Sequence, residues 1–223
     1  FDTYFFCNPD VVFSEPTTLP LAQTLLQIET AGSIGPKLLN DDGSVYPSAR
    51  NLPSITTGVG HALFSKIWPG NPWSHAYQNA ANYDQRRPAG SLSGAAVMVK
   101  ATIFEQIGGW DESYFMFSEE VDYARRIRDA GYRVRYVADA VATHDEGGSG
   151  RNDDLRALLE LNRVRYYRRH HNRVASAAFR IAVGLRGALR CWSRRDRRAA
   201  LVALGASDPP QFSGADPIGA VLW

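Results

Sequence analysis

The chain opens on an apolar, aromatic run from Phe1 to Cys7 that stops at Asn8-Pro9-Asp10, the pattern of a buried strand delivering a polar loop. Leu19, Leu21, Leu25, Leu26 and Ile28 then recur at helical spacing over residues 18–30, with Gly32 just beyond as a helix terminator. A strand is expected over 33–39, closed by a turn at Asn40-Asp41-Asp42-Gly43. Residues 47–90 are rich in Pro, Gly, Asn, Trp and Tyr with weak periodicity, which predicts a long surface excursion of the kind that covers ligands.

Beyond it, residues 93–99 read as a small-residue strand and 101–107 as a short helix closed by Gly108-Gly109. Residues 119–130 carry Val121, Ala124 and Ile127 along one helical side and stop at Gly131, and a strand follows over 132–137. From Asp153 to about Leu204 the pattern is mostly helical, and a polar tail with Pro209-Pro210 and Pro217 follows; no internal repeat is present. Strands alternating with helices, and acids gathered at element ends, predict an open α/β sheet with its site at the carboxyl edge of the strands.

Composition excludes disorder: 223 residues with 44% hydrophobic and 11% aromatic content can bury a core. Cys7 and Cys191 lie too far apart in character and sequence to suggest a disulfide framework or a zinc cluster, and a reducing compartment is expected. With no apolar stretch of about 18 to 20 residues and no basic start before an apolar run, the expected location is cytoplasmic.

Charge changes the picture more. Twelve arginines and one acid, Asp196, fall between Arg163 and Arg198, so that segment carries +11 of a net +2. On a helical projection from 173 to 198, Arg173, Arg180, Arg186, Arg190, Arg194, Arg197 and Arg198 share one side. Ala177, Ile181, Leu185, Ala188, Leu189 and Trp192 lie opposite, although Phe179 and Val183 break the pattern. Such a helix suits an anionic membrane surface over 173–205, or packs on the rest of the chain with a solvated arginine face. Nucleic acid is not an expected partner, because no aromatic-basic interleaving accompanies the arginines.

Candidate chemistry falls in three places. Asp10 follows a strand end and, with Asn8, could hold a hard divalent cation, or the tripeptide merely starts a turn. Asp111, Glu112, Glu119, Glu120 and Asp122 put five carboxylates within twelve residues, an arrangement costly to assemble unless a cation, a base or a substrate balances it. Ser118 is the expected cap of the helix that Glu119 begins, and Tyr114, Phe115 and Phe117 ahead of it read as a sugar-binding wall. His144 precedes Gly147-Gly148-Ser149-Gly150, where an imidazole could bind metal and a glycine-rich backbone could approach phosphate.

The order Asn-Pro-Asp, Ser-Gly-Ala, Gly-Gly-Trp-Asp-Glu, Glu-Glu-Val-Asp and a late His resembles glycosyltransferase family 2, whose members are inverting enzymes of the GT-A fold. The rhamnosyltransferase branch is most similar, through residues 42–50, Asn71-Pro72-Trp73 and Leu92-Ser93-Gly94, and the likeness covers about residues 5–172. It implies an incomplete GT-A domain, a Rossmann-like open sheet over 1–152, with a basic helical extension over 153–205 and a tail over 206–223.

The resemblance also implies roles. Asp10 and His144 would bind Mg²⁺ or Mn²⁺ at the nucleotide diphosphate, and Glu120 would be the general base, a glutamate where the family has aspartate. Glu119, Asp122 and Arg126 would orient the helix, and Ser93, Trp110, Asp111 and Glu112 would border the acceptor. The donor would be a nucleotide-sugar such as dTDP-rhamnose, and the acceptor a polyprenyl-diphosphate-linked sugar at the inner face of the plasma membrane. The family's nucleotide-binding βα repeats do not precede Asn8-Pro9-Asp10, so the expectation is a fragment, or a half completed by a separate amino-terminal polypeptide, with little turnover alone. The alternative is a non-catalytic remnant or membrane-associated binding module.

Overall fold

In a computed structural model, residues 1–13, 16–64, 68–78, 83–144, 153–189 and 193–210 are described. They group into two compact units that interleave along the chain. The first comprises 1–52, 78–113 and 119–146, and the second 53–77, 114–118 and 147–223.

The first unit is built on a mixed sheet. Its strands are β1 (Thr3–Cys7), β2 (Val11–Val12), β3 (Ala31–Leu39), β4 (Val45–Tyr46), β6 (Arg87–Ala89), β8 (Ala96–Lys100) and β9 (Arg133–His144), while β5 (Ala49–Arg50) and β7 (Ser91–Leu92) form a separate pair. The main order is β1-β8-β3-β9-β2, with β4 on β3 and β6 on β9. Only β3 and β9 run parallel; β8 is antiparallel to both β1 and β3.

Both faces of this sheet are covered, which explains the unbroken apolar run of β8. Val97 and Val99 join one core with Val134, Tyr136, Tyr123 and Ile127, whereas Met98 points into the other with Ile34, Val137, Leu21 and Leu25. Helix α1 (Thr18–Gln27) supplies Leu21 and Leu25, both wholly buried; each contributes about 2–3 kcal/mol by leaving water. Helices α4 (Ala101–Gln106) and α5 (Glu119–Asp129) supply Ile103, Tyr123 and Ile127 to the opposite core.

Several expected boundaries move. Helix α1 stops at Gln27 and β3 starts at Ala31, so Gly32 is a strand residue; a Cβ there would come within 2.8 Å of Ile127, and the glycine admits α5 against the sheet. Strand β1 is half-buried rather than buried, because it ends the strand order. The strand expected over 93–99 starts only at Ala96, as β8, and residues 93–95 separate it from β7. Strand β9 continues past 137 to His144, through a register shift against β3. The excursion over 47–90 contains two helices, α2 (Ile55–Phe64) and α3 (Pro72–Gln78).

In the second unit, α6 (Asp153–His170), α7 (Arg173–Leu189) and α8 (Arg194–Leu204) pack on one another. Tyr167 of α6 stacks on Phe179 of α7 at 3.9 Å and donates its hydroxyl proton to the Ser54 carbonyl at 2.6 Å. The basic segment is thus two helices, with 190–192, including Trp192, outside the described residues. Arg173, Arg180, Arg194, Arg197 and Arg198 are exposed as expected, but the apolar stripe that α7 buries is a different one. Phe179, Ala182, Val183 and Arg186 turn inward, while Val174, Ile181 and Leu185 are exposed. The buried carboxylate of Glu160 decides this, drawing Arg186 to 2.6 Å and with it the Phe179–Val183 stripe. No helix among the described residues is long and apolar enough to cross a membrane.

Candidate active site

Sheet polarity gathers the candidate residues. Because β8 is antiparallel to β1 and β3, the start of β8, the end of β1 and the ends of β3 and β9 share one edge. The Asn8 amide donates to the Ala95 carbonyl at 2.8 Å, and Pro9 and Asp10 make the turn into β2. Strand β2 pairs Val11 with His144, the last residue of β9. His144 is therefore in the strand rather than beyond it. The glycine-rich segment 147–150 lies outside the described residues.

Asp10 Oδ1 and His144 Nε2 face each other at 3.4 Å. Neither Asp10 Oδ1 nor His144 Nδ1 makes a hydrogen bond, although both atoms are buried. A carboxylate and an imidazole at this separation suit two neighbouring ligands of one cation, and a Mg²⁺ or Mn²⁺ ion takes its remaining ligands from water and substrate phosphates. Among the described residues no group of three acids, histidines or cysteines could hold a metal. The donor set therefore fits a cation only where another oxygen source completes it.

The acidic pair reaches the same edge through Gly94, the residue before Ala95. A Cβ built on Gly94 would lie 3.8 Å from Glu120 Cβ and 4.0 Å from Glu119 Oε1, so both glutamates rest against this small-residue stretch. Burial, reinforced by the neighbouring Glu120 carboxylate, pushes the Glu119 carboxyl up to about 8. Glu119 therefore keeps its proton through most of the neutral range, beside a second carboxyl on the same helical turn. Ser93, one residue further back, accepts the Ala95 amide at 3.3 Å and donates its own amide to the Ser48 carbonyl at 2.7 Å.

Asp122 and Arg126, a turn apart on α5, form a 2.7 Å ion pair with Asp122 wholly buried. Arg126 also donates to the carbonyls of Ile107 and Gly109 at 2.8 and 2.7 Å. It thereby fastens α5 to the turn where Gly108 and Gly109 adopt φ of 80° and 66°, values that cost glycine little. From that turn the chain enters Trp110, which packs at 4.4 Å on Tyr123 and at 5.2 Å on Phe6. Asp111 Oδ1 accepts the Ser113 amide at 3.0 Å, and Glu112 is exposed in a short 3₁₀ turn.

Two expectations about the lead-in to α5 are corrected. Tyr114 is wholly buried, so it is a core residue and not part of a sugar wall, whereas Phe115 is 55% exposed. Ser118 has φ of 69°, as Phe115 and Phe117 have 59° and 68°, outside the extended conformation of a capping residue. Non-glycine residues cost roughly 1–2 kcal/mol each in this left-handed region. A residue that the sequence did not single out holds the strained loop: the buried Asn162 amide nitrogen lies 2.7, 2.7 and 3.1 Å from the carbonyls of Tyr114, Met116 and Phe117. A lone asparagine inside a helix gives no signal of this kind.

A mixed sheet covered on both faces, with acids collected at one strand edge, is consistent with a GT-A-like glycosyltransferase fold. No family model matches the chain. Among curated proteins it is 37% identical over 165 residues to N-acetylglucosaminyl-diphospho-decaprenol L-rhamnosyltransferase of Mycobacterium tuberculosis, covering 74% of this chain and 54% of that protein. It is 28% identical over 150 residues to the O-antigen biosynthesis protein RfbC of Myxococcus xanthus, covering 67% of this chain and 11% of that protein. A third match, to rhamnosyltransferase WbbL of Escherichia coli, is 35% identical over 52 residues, 23% of this chain and 20% of that protein. These likenesses support a family 2, rhamnosyltransferase-like assignment for the chain. The chain spans about half the length of the Mycobacterium tuberculosis relative.

Proposed function

We propose that the chain supplies the acceptor-side, catalytic half of an inverting glycosyltransferase that moves L-rhamnose from dTDP-rhamnose to a polyprenyl-diphosphate-linked sugar, in cell-wall polysaccharide synthesis. The observation that carries this reading is the common sheet edge of Asp10, Gly94 and His144, with Glu119 and Glu120 against Gly94.

In this reading Glu120 takes the proton of the acceptor hydroxyl as its oxygen bonds to the anomeric carbon of the donor. The bond from that carbon to the diphosphate oxygen breaks with its electron pair, and the sugar centre inverts. Glu119, retaining its proton, limits the pair to a single negative charge and lets it donate one hydrogen bond at neutral pH. Asp111, Glu112, Trp110 and Ser93 border the acceptor, with Asp111 taking a sugar hydroxyl on its second carboxylate oxygen. Asp10 and His144 would hold Mg²⁺ or Mn²⁺, which when bound neutralises the charge of the nucleotide diphosphate. Helices α7 and α8, over 173–205, set the chain against the inner face of the plasma membrane, where such an acceptor resides.

The test joins this chain to the amino-terminal half of the Mycobacterium tuberculosis relative and follows label from dTDP-rhamnose to a short polyprenyl-diphosphate-linked N-acetylglucosamine. Labelled disaccharide with inverted anomeric configuration, suppressed by chelator, is the expected result. A folded fusion that forms no product while the relative does would overturn the proposal.

A further inference from the structure

Several arginines of the second unit face acids. Glu160, Asp153, Asp154 and Asp196 face Arg186, Arg195, Arg198 and Arg156 respectively. A different set, Arg165, Arg168 and Arg169 of α6 with Arg180 of α7, lines a groove of about 460 Å³ between α6, α7 and the end of α8. That volume lies within the roughly 300–1,000 Å³ of small-molecule sites. Its apolar wall includes Leu161 and Val202, and among the described residues no acid lines it.

Part of this cationic rim is anchored. Arg180 donates to the Leu204 carbonyl at 3.0 Å, and the Arg165 guanidinium lies 5.6 Å over the Tyr114 ring. Arg168 and Arg169 are exposed at the last turn of α6. Next to Arg180 in sequence, Ile181 is 62% exposed, and Val174 and Leu185 continue its stripe along α7. An apolar stripe left in water beside a cationic groove with an apolar wall complements a molecule that is anionic at one end and aliphatic at the other.

We propose that this groove binds the phosphate head group of a membrane lipid, with the Arg165, Arg168, Arg169 and Arg180 guanidinium groups around the phosphate and the first part of the acyl chain along Leu161 and Val202. The assignment rests on the membrane association proposed above and makes it site-specific. It does not depend on sugar transfer. Arginine is suited to the role because its planar fork donates two parallel hydrogen bonds to phosphate oxygens.

The test measures binding of the 223-residue chain to phosphatidylcholine vesicles with and without phosphatidic acid. Two double variants of equal charge are compared: Arg168→Gln with Arg169→Gln in the groove, and Arg194→Gln with Arg197→Gln, both exposed on α8 outside it. All four positions are exposed, and circular dichroism verifies the fold. The groove variant is expected to lose at least tenfold more affinity for the anionic vesicles than the α8 variant. Equal losses would leave only diffuse attraction and overturn the groove, while absence of binding by the unaltered chain would sink the membrane association as well. Calorimetry with monomeric dihexanoyl phosphatidic acid and with inorganic phosphate separates lipid from free anion. The lipid is expected to bind at least tenfold more tightly, and equal affinities would overturn the lipid assignment.

Discussion

Glu119, partly buried, and Glu160, wholly buried, are both glutamates on helices, and their carboxyls have moved in opposite directions. Burial raises each, but at Glu119 the neighbouring Glu120 carboxylate adds to it, and the group is pushed up to about 8. At Glu160, burial is outweighed by Arg163, Arg186 and Arg156, and the group falls to about 2. The first unit thus leaves a partly buried acid electrostatically uncompensated at a sheet edge, whereas the second surrounds one with arginines between helices. An acid without a basic partner keeps its proton near neutral pH and leaves the negative charge of the pair to its neighbour, whereas a compensated one holds elements in register.

The largest effect that would sharpen this contrast is at Glu160. Replacing Glu160 by Gln removes the anion that Arg186, Arg163 and Arg156 share, although Arg156 keeps Asp196, and should cost about 3–5 kcal/mol in urea unfolding. A loss below about 1 kcal/mol would show that the cluster does not hold the helices.

Glu119→Gln should do the reverse. The folded carboxyl is pushed up to about 8, well above the usual carboxylate range, so between that range and pH 8 the folded state holds a proton that the unfolded chain has released. Wild-type stability therefore falls as pH rises through that window. The variant escapes this loss, and its advantage should grow from near zero at pH 4 to on the order of 5 kcal/mol at pH 9. A constant difference across that range would mean that Glu119 titrates normally.

Smaller again is Asn162→Ala, which removes the donor shared by the Tyr114, Met116 and Phe117 carbonyls. A loss of about 1–3 kcal/mol is expected, together with faster amide exchange at 115–118. Unchanged exchange there would show that the left-handed loop does not need Asn162.

How much of this was legible in the sequence depended on whether the deciding contacts were local. Helix α5 and its acids were readable because Val121, Ala124 and Ile127 recur at helical spacing and Gly131 ends the pattern, with φ of 89°. The α/β class was readable for the same reason. By contrast α7 carries two apolar stripes, Phe179–Val183 and Ile181–Leu185, and nothing within it says which turns inward. Glu160, on another helix, decides. Gly32 looked like a helix terminator but is needed by Ile127, some ninety residues away in sequence. The candidate site was legible as residue types in order, and the raised carboxyl of Glu119 was not, because burial is a property of the folded chain.

The proposed division of roles between Glu119 and Glu120 can be tested directly with the transfer assay of the fused enzyme, comparing Glu120→Gln with Glu119→Gln at pH 7. The proposed roles require Glu120→Gln to lower kcat by about 10²–10⁴-fold, with donor binding retained, while Glu119→Gln, which keeps a neutral hydrogen-bonding group in place of a protonated acid, stays within about tenfold of wild type. The opposite order, with Glu119→Gln the more damaging, would contradict the assignment and make the acid of raised pKa the base.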